Sequence, residues 1–156
     1  MSMGRGGGGS DYAVERLART HRRIGAAASD LERAVAELDW QTIDEVIDFF
    51  SHQALRHHED EEAVLFPALA GLPELAPLLA DLGAEHAELA AALRALGDAV
   101  RAGEPSALRA AAAAMIEIER RHVTREDAEL LPAAERALTP EQRTQLGEAM
   151  RARRLG

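Results

Sequence analysis

The chain has 156 residues, is 47% hydrophobic but only 3% aromatic, and carries a net charge of −9 with its histidines neutral. That length suits one domain with a substantial core, and the predominance of Ala and Leu favours helix over strand. The absence of Cys excludes disulfides, zinc–thiolate sites and thiol catalysis, and the acidic balance argues against a nucleic-acid surface.

Met1 to Ser10 (MSMGRGGGGS) is Gly-rich and lacks the apolar segment of a signal peptide, so it reads as a flexible tail, with residues 11–156 as the domain. A first helix is predicted from about Tyr12 to Leu38, with Ser10 or Asp11 as N-cap. Its apolar stripe is Val14, Leu17, His21, Ile24, Ala28, Leu31, Val35 and Leu38, and His21 is the one polar member. Asp39 to Thr42 is a short connection in which Thr42 can cap a second helix. That helix carries Ile43, Ile47, Phe50, Ala54, His57, Glu61 and Val64, thickens at Leu65 and Phe66 before Pro67, and ends at Gly71-Leu72-Pro73.

A third helix begins between Pro73 and Pro77 and runs to Gly103 with the stripe Leu75, Leu79, Leu82, His86, Leu89, Leu93, Leu96 and Val100. After a turn at residues 103–106, a fourth carries Leu108, Ala112, Met115, Glu119, His122, Glu126 and Leu130. Thr139, Pro140 and Gln142 supply a cap, a first-turn Pro and a capping-box partner for a short fifth helix ending near Arg154. The expected fold is all-α, an up-down-up-down four-helix bundle with that fifth helix appended. No internal repeat is evident beyond a local likeness of the second and fourth helices. No apolar run approaches the roughly 20 residues needed to cross a bilayer, so a cytoplasmic protein is the expectation.

The histidines carry the functional signal. Each long helix places one imidazole in its apolar stripe: His21, His57, His86 and His122. Two are followed four residues later by a carboxylate, Glu61 and Glu126, a little over one helical turn away and so on the same face. All four imidazoles fall at similar depth in the expected bundle. Burying such groups without a compensating partner is costly, and the chain has no Lys to pair the carboxylates. A metal centre satisfies all six. Neutral imidazole with carboxylate suits Fe, Mn, Zn or Co, and six ligands exceed what one tetrahedral zinc uses, so a dinuclear site is preferred.

His52 and His58 lie about 140° and 100° around the helix from His57 and are expected at the surface or its boundary, with His52 available as an outer hydrogen-bonding group. Of Glu59 to Glu62, only Glu61 is in register with the stripe. Glu119 forms Glu-x-x-His with His122, a motif ferritin-like di-iron proteins use on two helices; here it occurs once, and Glu119 is read as an acceptor for an imidazole N–H or as an ion-pair member. Met115 and Phe50 read as packing residues, Trp40 and Tyr12 as caps on the core.

The run His57-His58-Glu59-Asp60-Glu61-Glu62-Ala63-Val64-Leu65-Phe66-Pro67 resembles the second-helix signature of the hemerythrin-like (HHE cation-binding) proteins, and His122 to Pro132 resembles it again. His21 and His86 stand where that family's first- and third-helix ligands stand, over a match of about residues 12 to 137. The resemblance implies two iron ions, oxo- and carboxylate-bridged, with His21 and His57 on one, His86 and His122 on the other, and Glu61 and Glu126 between them. Oxygen-carrying hemerythrins have a second third-helix histidine; the positions four either side of His86 are Leu82 and Ala90, which cannot ligate. The resemblance is therefore to the branch with four His and two carboxylates, which includes iron–sulfur-cluster repair and nitric-oxide-responsive proteins. It implies a small ligand, O₂, NO or peroxide, with an unidentified redox partner; the acidic surface and chain length suggest a monomer or small homo-oligomer. Ile24, Phe50, Leu89 and Met115 would keep the open position dry. The alternative is a metal sensor or store without chemistry, and a purely structural bundle would bind no metal.

Overall fold

A computed structural model describes residues 12–155; the Gly-rich segment and the expected caps Ser10 and Asp11 lie outside the described residues. Among the described residues the structure is all-helical, without a strand. Helix α1 spans Tyr12–Glu37. Helix α2 covers 40–69 as a continuous run in which two π-turns, Phe50–Ala54 and Glu61–Leu65, interrupt α-helix. A 3₁₀ turn at Pro73–Leu75 leads into α3, Ala76–Ala102. Helix α4 covers 105–137 with one π-turn at Glu126–Leu130, and α5 spans Pro140–Leu155.

Local chemistry sets the ends. Leu38 takes the left-handed conformation (φ 52°) that usually falls to Gly after a helix C-terminus, and the chain turns at once into α2. The cap of α2 is Asp39, not Thr42. The Asp39 carboxylate accepts from the Thr42 backbone N–H and hydroxyl, because the helix starts three residues earlier than a Thr42 cap allows. Gly103 (φ 68°) closes α3, and Glu104 then caps α4 through the N–H groups of Ser106 and Ala107. The capping box of α5 forms as expected: Gln142 N–H donates to Thr139 Oγ1, and Thr139 N–H donates to Gln142 Oε1.

The π-turns of α2 and α4 that begin at Glu61 and Glu126 share a cause. Pro67 and Pro132 lie just beyond them, and in a regular α-helix each ring would clash with the carbonyl four residues back. The helix widens instead. The N–H of Phe66 reaches back five residues to the Glu61 carbonyl, and that of Leu131 to the Glu126 carbonyl.

Helix α1 packs against α2, α4 and α5, and α3 against α4. The apolar stripes bury two clusters. One gathers Ile24, Leu31, Ile43, Phe50, Leu96, Leu108 and Met115; the other gathers Leu17, Leu65, Leu69, Leu82, Leu130 and Met150. In each of α1 to α4 the stripe histidine lies between the residues given to one cluster and those given to the other. The polar layer thus divides the core in two. No helix among the described residues is long and apolar enough to cross a membrane.

Candidate metal centre

The structure brings all six sequence-predicted residues together. His21, His57, Glu61, His86, His122 and Glu126 are buried, with both carboxylates at 0% exposure. The imidazoles meet in two pairs: His21 Nε2 is 3.1 Å from His57 Nε2, and His86 Nε2 is 3.1 Å from His122 Nε2. Each carboxylate faces both pairs. Glu61 presents Oε2 to His57 at 3.4 Å and Oε1 to His86 at 3.0 Å. Glu126 presents Oε1 to His21 at 2.9 Å and Oε2 to His122 at 3.5 Å. Two four-residue groups result, His21–His57–Glu61–Glu126 and Glu61–His86–His122–Glu126, with the carboxylates common to both.

Three imidazoles are oriented from behind by carboxylates. His21 donates from Nδ1 to Asp127 at 2.6 Å, His86 to Glu62 at 2.9 Å and His122 to Glu85 at 2.7 Å. An ionised carboxylate only accepts, so the proton lies on Nδ1 and the Nε2 lone pair of the neutral ring points inward. At His86 and His122 this leaves two lone pairs facing each other, beside a carboxylate oxygen of Glu61. Moreover, none of the four oxygens of Glu61 and Glu126 receives a hydrogen bond, although all four are buried. Convergent electron-pair donors without hydrogens between them call for cations, and the donor set fits divalent metal ions.

The electrostatics agree. Burial lowers the His57 pKa, but the charge of Glu61 and contact with Glu126 outweigh it and push it up to about 10. At His122, burial is likewise overcome by Glu126 and Glu85, and the pKa rises to about 9. His21 and His86 also rise against burial, through Glu126 and Glu61 respectively. Burial would raise Glu126, yet His122, His21 and His57 hold it well below the usual carboxylate range. Without metal, a second proton taken up by the imidazoles supplies the positive charge these donors call for, and metal binding must displace it.

Three expectations need correction. His58 is not at the surface or its boundary. It is 4% exposed, stacks on His86 with ring centroids 4.2 Å apart at 14°, and finds no partner for either ring nitrogen. The expectation assumed a uniform α-helix. The π-turn at Phe50–Ala54, with Leu55 N–H bonding five residues back to the Phe50 carbonyl, resets the register so that His57 and His58 straddle the inward direction. Burial, then the neighbouring imidazoles of His86 and His57, push the His58 pKa well below its ordinary value. Second, Glu61 is not alone in being buried in its run: Asp60 is 2% exposed and accepts from Arg153 at 3.0 Å and Arg154 at 2.8 Å, fastening α5 to α2. Third, Glu119 accepts no imidazole N–H. It is buried, its Oε1 has no hydrogen-bond partner, and the nearest imidazole is His58 at 3.9 Å. Burial raises its pKa to about 7 against the pull of His122 and His57. His52 is exposed, and its Nδ1 donates to the Asp48 carbonyl of its own helix, away from the layer.

Sequence reasoning also missed Glu62, Asp127 and Glu85, because they lie off the apolar stripes. One signal was there to find. His86 follows His21 by 65 residues, as His122 follows His57, Glu126 follows Glu61 and Asp127 follows Glu62. The carboxylate after each stripe glutamate serves an imidazole of another helix.

A family model described as the hemerythrin HHE cation binding domain matches residues 12–134. The chain belongs to that family. Membership implies metal binding, with iron the typical ion, in agreement with the clustered His and Glu side chains. A comparison with curated proteins returns no significant match.

Proposed function

We propose that this hemerythrin-family chain holds two iron ions in an up-down-up-down four-helix bundle and uses them to bind, or react with, O₂, NO or peroxide. His21 and His57 would hold one ion, His86 and His122 the other, and Glu61 and Glu126 would bridge them. The observation that carries this reading is the division of labour between the carboxylates: each offers one oxygen to each imidazole pair. An iron pair supplies redox-active Lewis acidity toward small ligands.

The chain's own contributions follow from position. Asp127, Glu62 and Glu85 fix the rings of His21, His86 and His122 and make their Nε2 atoms better donors. Ile24, Phe50 and Met115, each buried, close the layer on one side; Leu65, Leu82 and Leu130 close it on the other. Their close packing excludes bulky ligands, and the low dielectric they create disfavours multiply charged ones. The test is the optical response of iron-loaded protein to azide, NO and O₂ added separately. The reading predicts a distinct new absorption with at least one of them. Full iron loading with no response to any would leave a store or sensor of iron as the function.

A further inference from the structure

From the placement of His58 and Glu119 we infer that the exogenous ligand of the centre binds on the His86–His122 side, and that His58 is the hydrogen-bond donor that selects it. The class of ligand is a small anion. This inference rests on the function proposed above.

Buried polar groups almost always have partners, and an exception calls for a reason. Among the described residues the side-chain atoms buried without a hydrogen bond belong to four residues: Glu61 and Glu126, which the metal reading explains, and His58 and Glu119, which it does not. His58 and Glu119 line one cavity between α2, α3 and α4 whose other walls are apolar, among them Phe50, Leu89 and Met115. The cavity has room for about one water or diatomic molecule. The face of His58 covers the ring of His86, and its edge meets His122 with centroids 5.4 Å apart.

His58 is unsuited to be a further metal ligand as it stands, although its nitrogens lie within 4.8 Å of those of His86 and His122. An ion lies in the plane of each imidazole that binds it. Rings stacked at 14° with centroids 4.2 Å apart have planes too far apart to share one ion. A neutral imidazole in that place keeps one N–H with nothing in the protein to take it. That N–H is available to a ligand. A surface cleft between α2 and α3, lined by His58, His86, Gly83 and Ala87 and flanked by the carboxylates of Glu59 and Glu62, reaches the same ring from outside and gives a small molecule a route in.

The other half of the layer offers no such donor. The residue 65 positions after His58 is Val123, and the residue 65 before Glu119 is Ala54. Val123 therefore sets no imidazole against the His21–His57 pair; the cleft on that side, between α1 and α4, takes its polar lining from Glu119, Arg120 and Thr124 instead, and the buried, unpartnered ring of His58 is what assigns the ligand to the His86–His122 side. A buried N–H favours ligands that carry negative charge and does little for neutral ones. Glu119, across the cavity, opposes an anion when ionised, so the two residues act with opposite sign.

The experiment uses the iron-loaded full chain, with azide as the anionic probe and NO as the neutral one. Metal content, azide Kd and NO Kd are measured for the parent protein and for His58→Leu, His58→Gln and Glu119→Gln. His58→Leu should keep the parent's iron content, weaken azide by about tenfold or more, and change NO by less than about twofold. His58→Gln, which retains an N–H, should recover most of the azide affinity. Glu119→Gln should tighten azide, which keeps the idea testable should His58→Leu not fold. Loss of iron from His58→Leu would make His58 a ligand and overturn the inference. Equal weakening of azide and NO, or azide affinity unchanged in His58→Leu and in Glu119→Gln, would overturn it too. A parent protein that binds neither probe defeats the proposed function along with it, whereas a responsive parent and indifferent variants defeat this inference alone.

Discussion

Helices α1 and α2 form one half of the polar layer, and α3 and α4 form the other. At a spacing of 65 residues the halves agree in their histidines, in their stripe glutamates, and in much of the buried core: Leu17 with Leu82, Ile24 with Leu89, Leu31 with Leu96, Phe50 with Met115 and Leu65 with Leu130. They even share the π-turn before a proline. They disagree at a few positions around the layer. Ala54 stands against Glu119, His58 against Val123, Asp60 against Arg125, and Thr20 against Glu85. The lesson is a separation of roles. What the halves share builds a symmetric cage for cations, and where they differ the cage acquires a face, an anchor and a set of hydrogen bonds peculiar to one side.

The largest effects belong to the shared positions. His57→Ala and His122→Ala should each lose metal, and with it about 4 kcal/mol of stability when metal exceeds Kd a thousandfold. Thermal melts with and without added iron measure this, and the equivalence of the halves predicts similar losses. A variant that keeps its metal-dependent shift in Tm while the other loses it would break the comparison.

Glu119 comes next and sharpens it. Its folded pKa is raised by burial to about 7, from an ordinary 4.5. The native state therefore holds a proton that the unfolded state releases between those values, so stability falls as pH rises through the window and stays reduced above it. In the metal-free protein this contribution is on the order of 3 kcal/mol. Glu119→Gln should remove it: relative to the parent, the variant should be more stable at pH 8 than it is at pH 4, by urea unfolding at both. A stability difference that does not change with pH would mean that Glu119 is solvated.

Asp60→Asn tests the anchor. It takes the charge from the buried end of the contacts to Arg153 and Arg154, whose guanidinium groups solvent still reaches. The cost should be about 1–2 kcal/mol, with faster hydrogen exchange in α5 and unchanged metal content. Smallest of all, His52→Ala should stay within about 0.5 kcal/mol of the parent and keep its metal, since His52 is exposed and bonds only within α2.

How much of this was legible in the sequence follows from periodicity. Stripe residues obey a uniform helical repeat, so the helices, the six convergent side chains and the capping box of α5 were readable. His58 was not, because two π-turns in α2 rotate its neighbourhood and a fixed angle per residue misplaces it. The carboxylates behind the imidazoles were hidden for another reason. Glu62 and Asp127 are half-exposed, and nothing in a solvated acidic run marks which member turns inward. Asp60 depends on α5 returning across α2, a long-range contact that no local pattern announces. Only the 65-residue spacing, taken as a repeat, singles out Glu62 and Asp127 as a matched pair.

The most direct measurement of the central claim is the iron content per chain of protein purified from iron-supplemented cells, with an absorption spectrum of the same sample. The account predicts two irons per chain and near-ultraviolet charge-transfer bands of a bridged pair, both absent from His57→Ala and His122→Ala. One tightly held ion, or none, in protein that is otherwise folded would contradict it.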